Sequence, residues 1–156
     1  MSTVKSSSED LTLNADGSGN DVVIQGNGTN TATITAEGLL KYNSGYGSVA
    51  TAYGCRAWVN FNGTGTVAIR GSGNVSSITD NGLGDYTVNF TTAMPDANFN
   101  VVGMVCATSD GNKSSLRGIS LYGPASITTT TARIRTMNGI NTAAYDAETT
   151  SVSIFR

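Results

Sequence analysis

Histidine is missing altogether from this 156-residue chain, and its absence excludes a great deal of chemistry. No Ser-His-Asp or Cys-His triad can be assembled, nor any zinc or iron site that relies on imidazole. Charge is sparse as well: nine Lys and Arg against eleven Asp and Glu leave 13% charged residues and a net charge of -2. That is neither the basic balance of a nucleic-acid binder nor the charge excess of a disordered tail, so no nucleic-acid partner is expected. Glu and Lys are scarce, which leaves long solvated helices little material. No apolar run approaches the roughly 18 residues of a membrane span, and Met1-Ser2-Thr3-Val4-Lys5 is polar. Neither membrane insertion nor a secretory signal is expected. The two cysteines, Cys55 and Cys106, are far apart and lack metal-ligand spacing. In a chain folded in a cytoplasm they read as buried free thiols, with a disulfide as the other reading.

What the chain has instead is glycine, 19 residues of it, accompanied by Ser, Thr and Asn. These are turn and strand-surface residues, poor in helix interiors, and the expected class is all-β. The first forty residues contain a repeat. Asp10-Leu-Thr-Leu-Asn-Ala-Asp-Gly17 aligns with Asp21-Val-Val-Ile-Gln-Gly-Asn-Gly28 and with Thr31-Ala-Thr-Ile-Thr-Ala-Glu-Gly38. Each unit is a short alternating strand closed by a small residue, an acid or amide, and a turn glycine. Leu11 and Leu13, Val22 and Ile24, and Ala32 and Ile34 give each strand one narrow apolar edge. A segment this short buries too little alone, so these edges predict cover by copies of the chain around an axis, or by the following domain. Residues 42–53 read as a linker or short helical turn, with Ser48 as an N-cap.

From Cys55 onward, strands are predicted near 55–61, 66–70, 74–79, 85–91, 99–107, 115–122, 131–137 and 150–155. Their count and spacing fit a two-sheet antiparallel sandwich. Alternation places Val59 and Phe61, Val67 and Ile69, and Tyr86, Val88 and Phe90 inside. Both faces of 99–106 are largely apolar, and Val102 and Met104 therefore predict cover from outside the monomer.

Candidate chemistry is thin. Most carboxylates sit in turn sequences such as Asp16-Gly17, Asp80-Asn81-Gly82 and Asp110-Gly111, so no catalytic residue is assigned and the chain is expected not to be an enzyme. Asp16-Gly-Ser-Gly-Asn-Asp21 has oxygen ligands at close spacing, but lacks the downstream Glu of a calcium loop. No metal or cofactor is expected. Arg133 and Arg135 share one face of a strand, where they suit a solvated face, acids at an interface, or an anionic sugar. Trp58 lies on the polar side of its strand and reads as a contact with another subunit or with the N-terminal segment, with sugar stacking as the other reading.

Arg56-Ala-Trp-Val-Asn-Phe-Asn-Gly-Thr-Gly-Thr-Val-Ala-Ile-Arg70, followed by Val75-Ser-Ser-Ile-Thr-Asp-Asn-Gly82 and Asp85-Tyr-Thr-Val-Asn-Phe-Thr-Thr-Ala-Met-Pro-Asp96, resembles the C-terminal module of tail-fibre-like proteins of marine and cyanobacterial tailed phages. The 10–17 repeat is similar to their shaft segments. The resemblance spans roughly residues 10–100. It implies a homotrimeric structural protein of the virion, assembled in the host cytoplasm and exposed on the particle exterior. A repeated-strand shaft over 1–45 would hold it to other virion proteins, and a β-sandwich knob over 46–156 would follow. The implied role is a fibre or fibre tip contacting a host surface glycan or outer-membrane component. A capsid-decorating knob or head fibre is the alternative, and a glycan-cleaving spike a remote one. Trimer contacts are expected at Leu11, Leu13, Val22, Ile24, Ile34, Trp58, Val102 and Met104. If the strands run along the fibre axis, the connections at 62–65, 80–84, 108–114 and 138–149 share the far end. The two longer ones offer receptor contacts at Asp110, Asn112, Lys113, Asn138, Asn141, Tyr145 and Asp146.

Overall fold

A computed structural model describes residues 13, 15, 17, 19–106, 117–123, 125–138 and 143–156. Every regular element among them is a strand, and every pairing is antiparallel. The chain divides into two compact units, Met1–Tyr53 and Gly54–Arg156.

In the first unit, β1 (Val22–Gly26), β2 (Thr29–Ile34), β3 (Leu40–Tyr42) and β4 (Ala50–Thr51) form one sheet in chain order. Asn27 and Gly28 turn β1 into β2, both with positive φ (50° and 75°). This is the Asn-Gly pair that a two-residue hairpin requires. Residues 42–53 do not form the linker or helical turn expected of them. Lys41 pairs with Thr51 and Tyr42 with Ala50, because the left-handed Gly45 and Gly47 fold the segment back into a fourth strand. Thr33 and Thr35 are buried here, whereas Ile24, Ile34, Leu39 and Leu40 remain exposed.

Among the described residues the second unit contains eight strands: β5 (Cys55–Asn62), β6 (Ala68–Gly73), β7 (Val75–Gly82), β8 (Asp85–Phe90), β9 (Asn100–Cys106), β10 (Arg117–Leu121), β11 (Thr131–Asn138) and β12 (Thr149–Phe155). They make two four-stranded sheets, ordered β10-β11-β8-β7 and β6-β5-β12-β9. Both sheets feed one apolar core. Ala57, Val59, Phe61, Val152 and Ile154 come from the β12 sheet, and Tyr86, Val88, Phe90, Ala132 and Ile134 from the β8 sheet. Phe61 meets Tyr86 edge to face at 5.1 Å between ring centroids, a favoured aromatic geometry. Period-two alternation explains the selection, since each of these strands sends alternate residues inward.

Three local expectations change. Ile69 is exposed rather than inward, because a bulge at Asn60/Phe61 shifts the register of the β6 edge strand. The β7–β8 turn falls on Leu83-Gly84 and not on Asp80-Asn81-Gly82, as β7 continues to Gly82 through a second bulge. Both cysteines remain thiols, but both are exposed. Cys106 ends β9 on its outward row, and Cys55 is the first residue of β5, beyond the inward run Ala57, Val59 and Phe61 and opposite a bulge at Ile154/Phe155.

Connections gather at two ends of this unit. At one end, the Gly63 N–H donates to Ala147 O (2.8 Å) and the Thr136 N–H to Gly84 O (2.8 Å), while Cys106 pairs with Thr149. The chain leaves β5, β7, β9 and β11 here. At the other end the unit begins at Gly54, and Asn74 donates to Arg56 O and accepts from the Thr92 N–H.

Candidate functional site

The outward row of the β8 sheet is polar throughout its centre. β8 contributes Asp85, Thr87 and Asn89, and β11 contributes Arg133 and Arg135, because their neighbours Tyr86, Val88, Ile134 and Thr136 point inward. Register places Arg135 opposite Asp85 and Arg133 opposite Thr87. Arg133 reaches diagonally to Asp85 through two parallel bonds, Nε to Oδ1 at 2.8 Å and Nη2 to Oδ2 at 2.6 Å, the fork geometry in which guanidinium and carboxylate fit best. Its guanidinium also lies 4.0 Å from the centre of the Tyr122 ring, a cation–π distance. Asn81, displaced by the bulge in β7, donates to Thr87 Oγ1 (2.9 Å).

An open cleft of about 240 Å³ lies at the end of this row. It is lined by Asn81, Gly82 and Leu83 from the end of β7 and its turn, Asp85 of β8, Arg135 of β11, Tyr122 and Ala144. The hydrogen bonds from Arg133 hold the Asp85 carboxyl below its ordinary value; burial opposes the shift, and the Arg133 and Arg135 charges and Asn81 reinforce it. Asp85 is therefore anionic through neutral and mildly acidic pH. The cleft thus offers a guanidinium, a carboxylate, an amide and an aromatic edge within one ring-sized hollow. Such a set can hold hydroxyl and carboxylate groups in fixed directions.

Beside the cleft is a buried lock. The Tyr86 hydroxyl shares its proton between Asp146 Oδ1 (2.6 Å) and Gly63 O (2.9 Å), and Asp146 accepts the Gly84 N–H as well (2.7 Å). Burial, then the hydrogen bond to Asp146 and its charge, push the Tyr86 phenol above the usual range, so it stays a donor. Gly84 has φ +64°, and an added Cβ would come within 2.5 Å of Thr136 O. No other residue fits there. Three connections are tied together in this way, and the rim of the cleft is positioned by them.

Of the receptor contacts expected from the sequence, Asn138, Tyr145 and Asp146 are described, all half-buried. Tyr145 is covered by the Arg117 guanidinium at 4.2 Å, and Asp146 belongs to the lock. Asp110, Asn112, Lys113 and Asn141 lie outside the described residues. Of the expected trimer contacts, Leu11 lies outside them, Val22 is half-buried, and Leu13, Ile24 and Ile34 are exposed. Trp58, Val102 and Met104 are also exposed, at 46%, 51% and 69%. Sequence reasoning singled out Arg133 and Arg135 but missed Asn81, Asp85 and Tyr122. Those three meet the arginines only through pairings that skip along the chain.

No protein-family model matches the chain, and no curated protein matches it. Among solved structures the chain is similar to the phiAB6 tailspike in complex with three-repeated oligosaccharides of Acinetobacter baumannii surface polysaccharide. The TM-score is 0.52 at 16% identity, covering 99% of this chain and 30% of that one. The likeness is one of fold: an all-β architecture of antiparallel sheets shared with part of a phage tailspike. It also overturns one expectation. The reading of a chain that is not an enzyme rested on absent histidine and on carboxylates placed in turns. A chain of this fold, however, is part of a tailspike solved with polysaccharide fragments, and glycan cleavage by paired carboxylates needs no histidine. The non-enzymatic reading is withdrawn.

Proposed function

We propose that this chain is a host-contacting part of a phage tail protein, and that the cleft between Asn81, Asp85, Tyr122 and Arg135 binds a saccharide of a bacterial surface polysaccharide. The observation that carries the reading is the cleft itself. Sugars are recognised by planar, bidentate polar groups beside an aromatic surface, and those groups converge here. The tailspike fold of the similar structure and its bound oligosaccharides support the same direction. So does the resemblance of residues 10–100 to tail-fibre-like modules of marine and cyanobacterial phages. In this reading the chain is exposed on the virion as a homotrimer. The N-terminal repeat serves as the shaft that joins other virion proteins, and the two facing sheets form the β-sandwich knob.

Arg135→Ala and Tyr122→Ala should each weaken binding to purified host surface polysaccharide by about tenfold, since each removes one charge-assisted or aromatic contact. Wild-type affinity in both variants would overturn the assignment of the cleft. Assaying the wild-type mixtures for new reducing ends alongside the binding measurement separates binding from cleavage. A chain that decorates the capsid would bind neither polysaccharide nor host cells.

A further inference from the structure

Trp58 is the only tryptophan of the chain. It stands on the outer row of the β12 sheet, opposite Ser153 of β12 and Gly73 of β6. Its indole lies over β6: a Cβ added at Gly73 would come within 2.5 Å of the indole Nε1, and one at Gly71 within 3.3 Å of the ring. Only a strand bare of side chains at both positions admits the ring so close to its backbone. One face of the indole therefore rests on protein, yet 46% of the residue remains exposed. The rim is polar. Arg56 and Asn60 flank Trp58 on the same row, the Asn60 amide donates to Ser151 Oγ (2.8 Å), and Ser153 lies alongside. Among the described residues Arg56 forms no ion pair.

We propose that this platform is a second saccharide site, separate from the cleft on the other sheet, and that it takes an acidic pyranose. A pyranose presents an apolar C–H face and a rim of hydroxyls, which match a supported indole ringed by amide and hydroxyl groups. The unpaired Arg56 guanidinium supplies the charge complement for a sugar carboxylate. The apolar strip formed by Val102 and Met104 would suit a second copy of the chain, but Trp58 itself is bordered by serine, asparagine and arginine.

Because Trp58 is the sole indole, its fluorescence reads the site directly in the full-length chain. Titration with a hexuronic acid tetrasaccharide should shift the emission saturably and protect the indole from acrylamide. Gly73→Ala, which lifts the ring from β6, and Arg56→Ala should each weaken this binding about tenfold or more. By calorimetry Trp58→Ala should abolish it, with the oligomeric mass and the affinity at the cleft unchanged. Three results would overturn the proposal: an indole already shielded from acrylamide without ligand, as cover by a second copy or by residues 1–53 would produce; no response to the tetrasaccharide; or wild-type affinity in both Gly73→Ala and Arg56→Ala.

Discussion

Asp85 is buried against Arg133, with 12% of its side chain exposed against 40% for the arginine, and this asymmetry sets what the pair contributes. An arginine so open is screened by water, so the pair adds little to the stability of the fold. Its direction with pH is nonetheless definite. The folded-state carboxyl titrates below its unfolded value. The contribution is therefore complete above the unfolded value of about 4 and is lost as pH falls through the depressed folded one. Chemical denaturation at a series of pH values should show a small loss of stability confined to the acid side of pH 4. Asp85→Asn should lack that part of the loss. It should also weaken saccharide binding at neutral pH, because Arg133 loses the carboxylate that orients it. An acid limb unchanged in Asp85→Asn would mean that other carboxylates dominate.

Among the elements, the connections at the Gly63, Gly84 and Asp146 end behave as one piece, and Tyr86 is the bolt. Tyr86→Phe keeps the edge-to-face contact with Phe61 but removes the proton shared by Asp146 and Gly63. Leaving a half-buried carboxylate with the Gly84 N–H as its described donor should cost about 1–3 kcal/mol. Amide exchange should quicken at Gly84 and Tyr145 well before it does in β8 or β11. Uniform quickening across the unit would show that Tyr86 supports the core rather than the rim. Much of this level was legible in the sequence. Turn signals and spacing located the eight described strands of the second unit within a few residues, and alternation put Tyr86 inside and Arg133 and Arg135 on one face. The lock was not legible, because Asp146 looks like any loop acid until pairing brings it to Gly84, 62 residues away. The cleft failed for the same reason. Strand periodicity fixes which face a residue takes, but the order of strands is set by core packing. The β12 strand, last in the chain, lies between β5 and β9.

On the scale of the whole molecule, the two units differ in how they hold together. Every described member of the apolar core lies between Ala57 and Ile154, whereas the first unit buries threonines and leaves Ile24, Ile34, Leu39, Leu40 and Tyr42 exposed. Ordering each backbone residue costs about 1–2 kcal/mol, which a four-stranded sheet without an apolar core does not offset alone. Its exposed edges call for cover. The second unit repeats the demand on β9, an edge strand of the β12 sheet, where Val102 and Met104 face solvent side by side on the outer row. An open apolar edge invites pairing with another chain. Three copies about a common axis, each covering the next as in the proposed homotrimer, would meet both features at once. Light scattering at micromolar concentration should accordingly give three times the 16.0 kDa chain mass. The double variant Val102→Lys/Met104→Lys, which places like charges where the copies would meet, should give monomers whose second unit still unfolds cooperatively. In those monomers a protease should remove residues 1–53 quickly, while the assembled protein resists. A monodisperse wild-type monomer would sink the assembly, a dimer would defeat its threefold form, and equal protease resistance in both states would show that the first unit stands without its copies.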